Sequence, residues 1–123
     1  SYADSVEGED DYYGILIGTN DAASKDYIEI KKKGDVFSIF TQNSDNAITL
    51  PGMNEKVTKI MFREVSDGRH RLIMVDGKEV SYEKLMEFES SVLKTVKIYN
   101  SEKAISLYGA KAKNGAVIIE TVK

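Results

Sequence analysis

The residue types that most often carry catalysis are scarce in this sequence. Its 123 residues include a single histidine, His70, and no cysteine. The lack of cysteine removes thiol nucleophiles, disulfides and thiolate metal sites. Arg69 and Arg71 flank His70 in a strand-like stretch, so both arginines are expected on the face opposite the histidine. A zinc site at His70 would need carboxylates for all its other ligands, and we therefore predict an exposed histidine, no metal site and no cofactor.

The carboxylates are numerous, but their spacing is typical of turns and of a solvated helix. Asp76 precedes Gly77, where hydrogen bonding to the turn backbone explains an aspartate without catalysis. Glu83 and Glu87 are spaced i, i+4 on a predicted helix face that also carries Lys84. We therefore predict a protein that is not an enzyme. A small carboxylate-dependent hydrolase is the alternative, and it requires acids from distant segments to meet in one pocket.

Basic residues near the carboxyl terminus form one candidate binding site. Lys111 and Lys113 follow a predicted helix, and Lys103 lies a turn or two before them. Together these lysines can attract a lipid headgroup, a phosphate or an acidic partner. Tyr108 lies between them and is either a packed core aromatic or a ligand contact. The lysine run at residues 31–33 is beside a turn and is interpreted as a solvated loop.

Composition limits both the fold and the partners. A mass of 13.7 kDa corresponds to one domain, and 41% hydrophobic with 30% charged residues indicates a folded chain with a core. The longest apolar runs are a few residues, far short of a transmembrane span. A net charge of -3 and a pI near 5.2 do not favour the binding of phosphate backbones, so nucleic acid is not expected as a partner.

The amino terminus is acidic and the first half is rich in strand signals. Within residues 1–11 all charged side chains are acidic, and the first basic residue of the chain is Lys25. These acids lack the order of an EF-hand calcium loop, so residues 1–11 are predicted to be a solvated tail. We predict a single domain from 12 to 123, with a β-rich half at 12–65 and a second half at 66–123. The first half is expected to contain a strand at 12–17, a helical turn at 22–25, a hairpin at 27–40 and strands at 47–50 and 57–65.

The second half alternates strand and helix signals. A turn at residues 66–68 is expected to join strand 57–65 to strand 69–75 as a second hairpin. Helical spacing from Tyr82 to Leu93 follows, with Ser81 as the N-cap. Next come a strand at 95–99, a short helix capped by Ser101, and a final strand at 116–121 buried on both faces. The predicted fold class is therefore α+β, with a mixed or antiparallel sheet and two short helices in the carboxyl-terminal half.

The second half also resembles a known family. Residues 72–123 resemble the second half of the TonB-dependent receptor plug domain, in the form found in SusC-like transporters of Bacteroidetes. In that pattern a strand ending in valine-Asp-Gly is followed by a helix, a strand, a helix ending in Tyr-Gly, a short basic loop with Asn-Gly, and a last strand. The residues of this sequence that carry the resemblance are Val75, Asp76, Gly77, Tyr108, Gly109, Asn114 and Gly115.

The resemblance implies a non-catalytic binding or regulatory module of the bacterial cell envelope, periplasmic or associated with the outer membrane, with any signal peptide absent from this chain. Its implied partner is an envelope protein, either an outer-membrane barrel or a membrane peptidase. The signature residues Asp76, Gly77, Gly109, Asn114 and Gly115 would then be turn and cap residues. The first half lacks the Gly-rich arginine pattern of transporter plugs, which favours a stand-alone module. A plug excised from a TonB-dependent transporter is the alternative, and a structural piece that assembles by strand addition is a third.

Overall fold

The computed structural model describes residues 27–42, 47–50, 53–64 and 70–122. The predicted acidic tail, the strand at 12–17, the helical turn at 22–25 and the turn at 66–68 lie outside these ranges. In chain order the elements are β1 (Tyr27–Lys33), β2 (Val36–Gln42), β3 (Ile48–Leu50), β4 (Glu55–Val57), β5 (Lys59–Glu64), β6 (Leu72–Val75), β7 (Lys78–Glu79), α1 (Tyr82–Leu85), β8 (Ser91–Tyr99), α2 (Ser101–Tyr108), a 3₁₀ turn (Ala110–Ala112) and β9 (Ala116–Val122).

The strands form two mixed sheets. Sheet A has the order β1-β2-β5, in which β1 and β2 are the antiparallel hairpin that the sequence predicts and β2 and β5 are parallel. Sheet B has the order β3-β8-β9-β6-β7, and β4 pairs with another part of β8. The pairs in sheet B are antiparallel except for β6 with β9. The last strand is therefore central, which explains the apolar density at 116–121.

The two sheets share one hydrophobic core, and both halves of the chain contribute to it. Alternate residues of each strand point to the same face of a sheet, so each sheet presents an apolar row to the other. The buried residues of this core are Ile28, Ile30, Phe37, Ile39, Ile60 and Phe62 from sheet A, with Val57, Ile73, Leu85, Leu93, Val96, Ile98, Val117 and Ile119 from sheet B and α1.

A second, smaller cluster fixes α2 on the other face of sheet B. Leu72 and Ala116 are neighbours in the β6–β9 register, and Ala104 of α2 and Ala112 of the 3₁₀ turn pack on them. Alanine at these positions allows the helix backbone to approach the sheet closely. The layers are therefore sheet A, sheet B and α2.

Several predicted elements are wrong in extent or pairing. The predicted strand at 57–65 is interrupted at Thr58. Val57, before it, pairs with β8 in sheet B, whereas Ile60 and Phe62, after it, face the core from sheet A. The predicted second hairpin is absent from the described residues: β5 pairs with β2, and β6 pairs with β7 and β9. Pairing between distant strands outweighs the local turn signal in both cases.

The first predicted helix is much shorter than its spacing indicates. Ser81 is its N-cap, as predicted, and its Oγ accepts a hydrogen bond from the Lys84 amide at 3.1 Å. The helix ends at Leu85, while Leu93 lies fully buried in β8. The burial of β8 in the core, rather than a helical repeat, therefore explains why residue 93 is apolar. The N-cap of α2 is Asn100 rather than Ser101.

The lysine run at 31–33 is not a loop. These residues continue β1, and alternation turns Lys32 into the interior, where only 5% of its surface is exposed. Its Nζ lies 3.8 Å from Glu55 Oε2, which offsets part of the cost of burying the ammonium group.

The α+β class and the two short helices of the carboxyl-terminal half are confirmed. Neither helix in the described ranges has the length and hydrophobicity of a membrane-spanning segment.

Candidate functional site

The turn between β6 and β7 is built around Asp76. Asp76 and Gly77 both have positive φ, at 50° and 83°, which is the backbone that a tight hairpin requires. The Asp76 carboxylate reaches across to β9, where Oδ1 accepts from the Thr121 amide at 2.8 Å and Oδ2 accepts from Thr121 Oγ1 at 2.6 Å. The Asp76 amide donates to the Ile119 carbonyl at 2.9 Å. The aspartate thus joins the end of β9 to the β6–β7 hairpin.

The segment between α2 and β9 is fixed by its own turn residues. Gly109 ends α2 with φ of 83°, and its amide donates to the Ile105 carbonyl at 2.9 Å. Asn114 Nδ2 donates to the His70 carbonyl at 3.4 Å. Gly115 has φ of 100°, and a Cβ there would lie 2.8 Å from the Tyr99 carbonyl oxygen. Only glycine fits at this position, and its carbonyl accepts from the Leu72 amide at 3.0 Å, which ties the loop to β6.

These segments border a cleft of about 320 Å³, which we call the α1 cleft. It lies between the β6–β7 hairpin, the start of α1 and the 3₁₀ turn. Its apolar lining comes from Phe62, Leu72, Ile73 and Val80. Its polar lining comes from His70, Arg71, Glu79, Ser81, Tyr82, Glu83 and Lys111. A cleft lined by apolar side chains together with positive and negative ones suits a peptide segment that combines an apolar side chain with polar groups.

Lys111 is the predicted binding residue that reaches this cleft. Its Nζ lies 3.1 Å from Glu79 Oε1, so an ion pair links the 3₁₀ turn to β7. The two side chains are 56% and 55% exposed. Both charges are therefore largely solvated and accessible to a ligand.

The other predicted binding residues lie elsewhere. Lys113 follows the 3₁₀ turn and lies beside the first residue of α2, since its carbonyl accepts from Ser101 Oγ at 2.6 Å. Lys103 is in the first turn of α2, where its amide donates to Asn100 Oδ1 at 3.0 Å. Tyr108 is half-buried and packs on the cluster beneath α2. The structure thus divides the four candidates between the cleft, the helix start and the core.

Sequence reasoning missed most of the cleft. His70 is exposed, as predicted, but it lies before β6 rather than in a strand, and it lines the cleft with Arg71 and Tyr82. Their spacing in the sequence does not predict that they lie near Lys111, because the fold brings them together only through the parallel pairing of β6 with β9. Within the part of the chain that the structure describes, no group of three or more His, Asp or Glu side chains is placed to hold a metal ion.

Comparison with known proteins finds no match to this chain among family models, curated proteins or solved structures. The likeness to TonB-dependent receptor plug domains accordingly depends on residues 72–123 of the sequence itself.

Proposed function

We propose that this protein is a non-catalytic binding module of the bacterial cell envelope that recognises a partner protein through the α1 cleft. The observation that supports the proposal most strongly is that the signature residues fix the segments on both sides of the cleft. Asp76 anchors the hairpin on one side of the cleft, and Gly109 and Gly115 shape the loop on the other. Residues of this kind maintain the positions of surface loops, as recognition requires.

The side chains around the cleft are of the types that dominate protein interfaces. Tyrosine and arginine are enriched among the residues that contribute most to binding, and the cleft offers Tyr82 and Arg71. Tyr82 is 43% exposed, and Met86, one turn later, is 66% exposed. The partner segment is expected to place an apolar side chain against Phe62 and Val80 and a polar group near Lys111.

The envelope location and the class of partner come from the resemblance of residues 72–123 to plug domains. An outer-membrane barrel or a membrane peptidase is the proposed partner. The module would act by occupying a surface of that partner, on the periplasmic side of the membrane.

Site-specific photo-crosslinking in the native envelope tests this proposal. A photoreactive residue replaces Lys111, and a matched probe replaces Lys56, which is exposed on β4 at the opposite edge of sheet B from β7. We expect one defined membrane protein to be captured from position 111 alone, with capture lost when Y82A is added. Equal capture from both positions, or none from position 111, would refute the proposal.

A further inference from the structure

We propose that Met86 is a site of oxidative modification, where a peroxide converts the thioether to a sulfoxide and thereby weakens recognition at the α1 cleft. Met86 is the C-cap residue of α1 and directly follows the buried Leu85. It is 66% exposed, the largest fraction among the large apolar side chains of the described residues. The inference rests on the proposed function, because the property that changes is the binding of the partner segment.

Methionine is the only sulfur-containing residue of this chain. The sequence has four methionines and no cysteine. A cysteine thiolate is a usual target of peroxides, and the methionine thioether is another common one. In the absence of thiols, two-electron oxidation of this protein is therefore directed to its methionines.

The structure makes the four methionines unequal. Met53 is partly buried against the main core, and Met74 is partly buried against the cluster beneath α2. Met61 is half-buried in β5, and Met86 is the one methionine whose side chain is exposed. A peroxide must reach the sulfur atom to react, so oxidation is expected first at Met86.

The geometry of α1 explains why Met86 is exposed. Its amide donates to the Glu83 carbonyl at 3.1 Å, and its backbone keeps the right-handed helical conformation. Successive residues of an α-helix are rotated by about 100°, so burial of Leu85 turns Met86 away from the core. The side chain therefore contributes little to the core, and its oxidation should leave the stability of the fold unchanged.

The exposed methionine continues the apolar surface of the cleft. Tyr82 lines the α1 cleft, and Met86 is four residues later, which places both side chains on one side of α1. Tyrosine and methionine are both enriched in protein interfaces, and the flexible methionine side chain adapts to different partner shapes. A segment bound in the cleft would thus contact Met86 with the apolar part of its surface.

Oxidation changes the chemistry of this contact. A sulfur lone pair attacks one oxygen of hydrogen peroxide, the O–O bond breaks, and the other oxygen leaves as water. The sulfur loses two electrons and the peroxide gains them, so no further reactant is needed. The product has a strongly polar S–O group in place of an apolar thioether. Burying that oxygen against apolar groups of a partner without a hydrogen-bond donor is unfavourable.

Mass spectrometry of the peroxide-treated module tests where oxidation occurs. Trypsin cleaves after lysine and arginine, which places each of the four methionines in a separate peptide. We expect Met86 to be oxidised at least about fivefold faster than each of the other three. The urea midpoint of the singly oxidised protein should equal that of the untreated protein. Equal rates at all four methionines, or a lowered midpoint, would overturn the proposal.

Photo-crosslinking from position 111 tests the effect on recognition. The purified module is treated with hydrogen peroxide, freed of it with catalase, and added to an isolated envelope fraction. M86L is the matched control, because leucine is apolar and has no sulfur, and M86Q introduces a polar side chain without oxidation. We expect oxidation to reduce capture by the parent about fivefold and by M86L less than about twofold. M86Q should resemble the oxidised parent, and methionine sulfoxide reductase should restore capture.

The outcomes separate this inference from the proposed function. If the untreated parent captures no membrane protein, the proposed function is refuted, and this inference with it. If capture is present but is unchanged after complete oxidation of Met86, or is reduced equally in M86L, this inference alone is refuted.

Discussion

Replacing Asp76 with alanine is expected to lower the free energy of unfolding by about 4 kcal/mol. The carboxylate accepts two hydrogen bonds from Thr121, at 2.8 and 2.6 Å, in a partly buried position. A hydrogen bond to a charged group contributes about 1.5 kcal/mol at the low end of its range, which gives about 3 kcal/mol for the pair. Alanine at a φ of 50° adds about 1 kcal/mol, because an ordinary side chain is strained there.

Two milder variants separate these contributions. D76N keeps an amide oxygen for the Thr121 amide and tolerates positive φ, so we expect a loss of about 1 kcal/mol. T121V removes only the hydroxyl donor and should cost about 1.5 kcal/mol. Both losses should therefore be well below that of D76A.

Urea unfolding at neutral pH, followed by far-ultraviolet circular dichroism, measures all three variants. The chain has no tryptophan to report by fluorescence and no cysteine to complicate refolding. An unchanged dependence on urea would show that the variants alter stability rather than the compactness of either state. If D76A unfolds within about 0.5 kcal/mol of the parent, or if D76N is as damaging as D76A, the role assigned to Asp76 is wrong.

Three further predictions test the packing and the cleft. G115A should cost about 3 kcal/mol or more by thermal unfolding, because its Cβ would lie 2.8 Å from a backbone carbonyl oxygen; G77A has positive φ but open space, so a cost near 1 kcal/mol is expected there. K111A and E79A should each change stability by less than about 0.5 kcal/mol, since both charges are more than half exposed, and a double-mutant cycle measures their coupling. N100A should cost about 1 kcal/mol through loss of the α2 cap, measured by urea unfolding.

Local turn chemistry was the part of the fold that the sequence predicted well. Asp76 and Gly77 mark the β6–β7 turn, and Gly34 lies in the β1–β2 turn with φ of 58°. These signals depend on the residues at the turn alone. The division into two sheets depends on the parallel pairing of β2 with β5 and of β6 with β9, which no local pattern specifies. The strand at 57–65 was therefore predicted as one element, although the residues of it that the structure describes belong to two sheets.

The candidate sites show the same limit. Lys111 was predicted as part of a basic loop, but its partner Glu79 is 32 residues earlier in the chain. The lysines at 31–33 were predicted as a loop because three adjacent lysines beside a turn are typical of one, although they continue β1. Strand alternation separates them, placing Lys32 inside and its two neighbours on the outer face.

Phe62 has two roles, which determines the variants that can test the α1 cleft. It lines the cleft from β5 and also belongs to the hydrophobic core. Any loss of capture in a Phe62 variant would therefore combine a change in the core with a change in the cleft. Tyr82 lines the same cleft, and its side chain is exposed. Loss of envelope capture in Y82A with an unchanged urea midpoint would assign the loss to the cleft, whereas a lowered midpoint would assign it to folding.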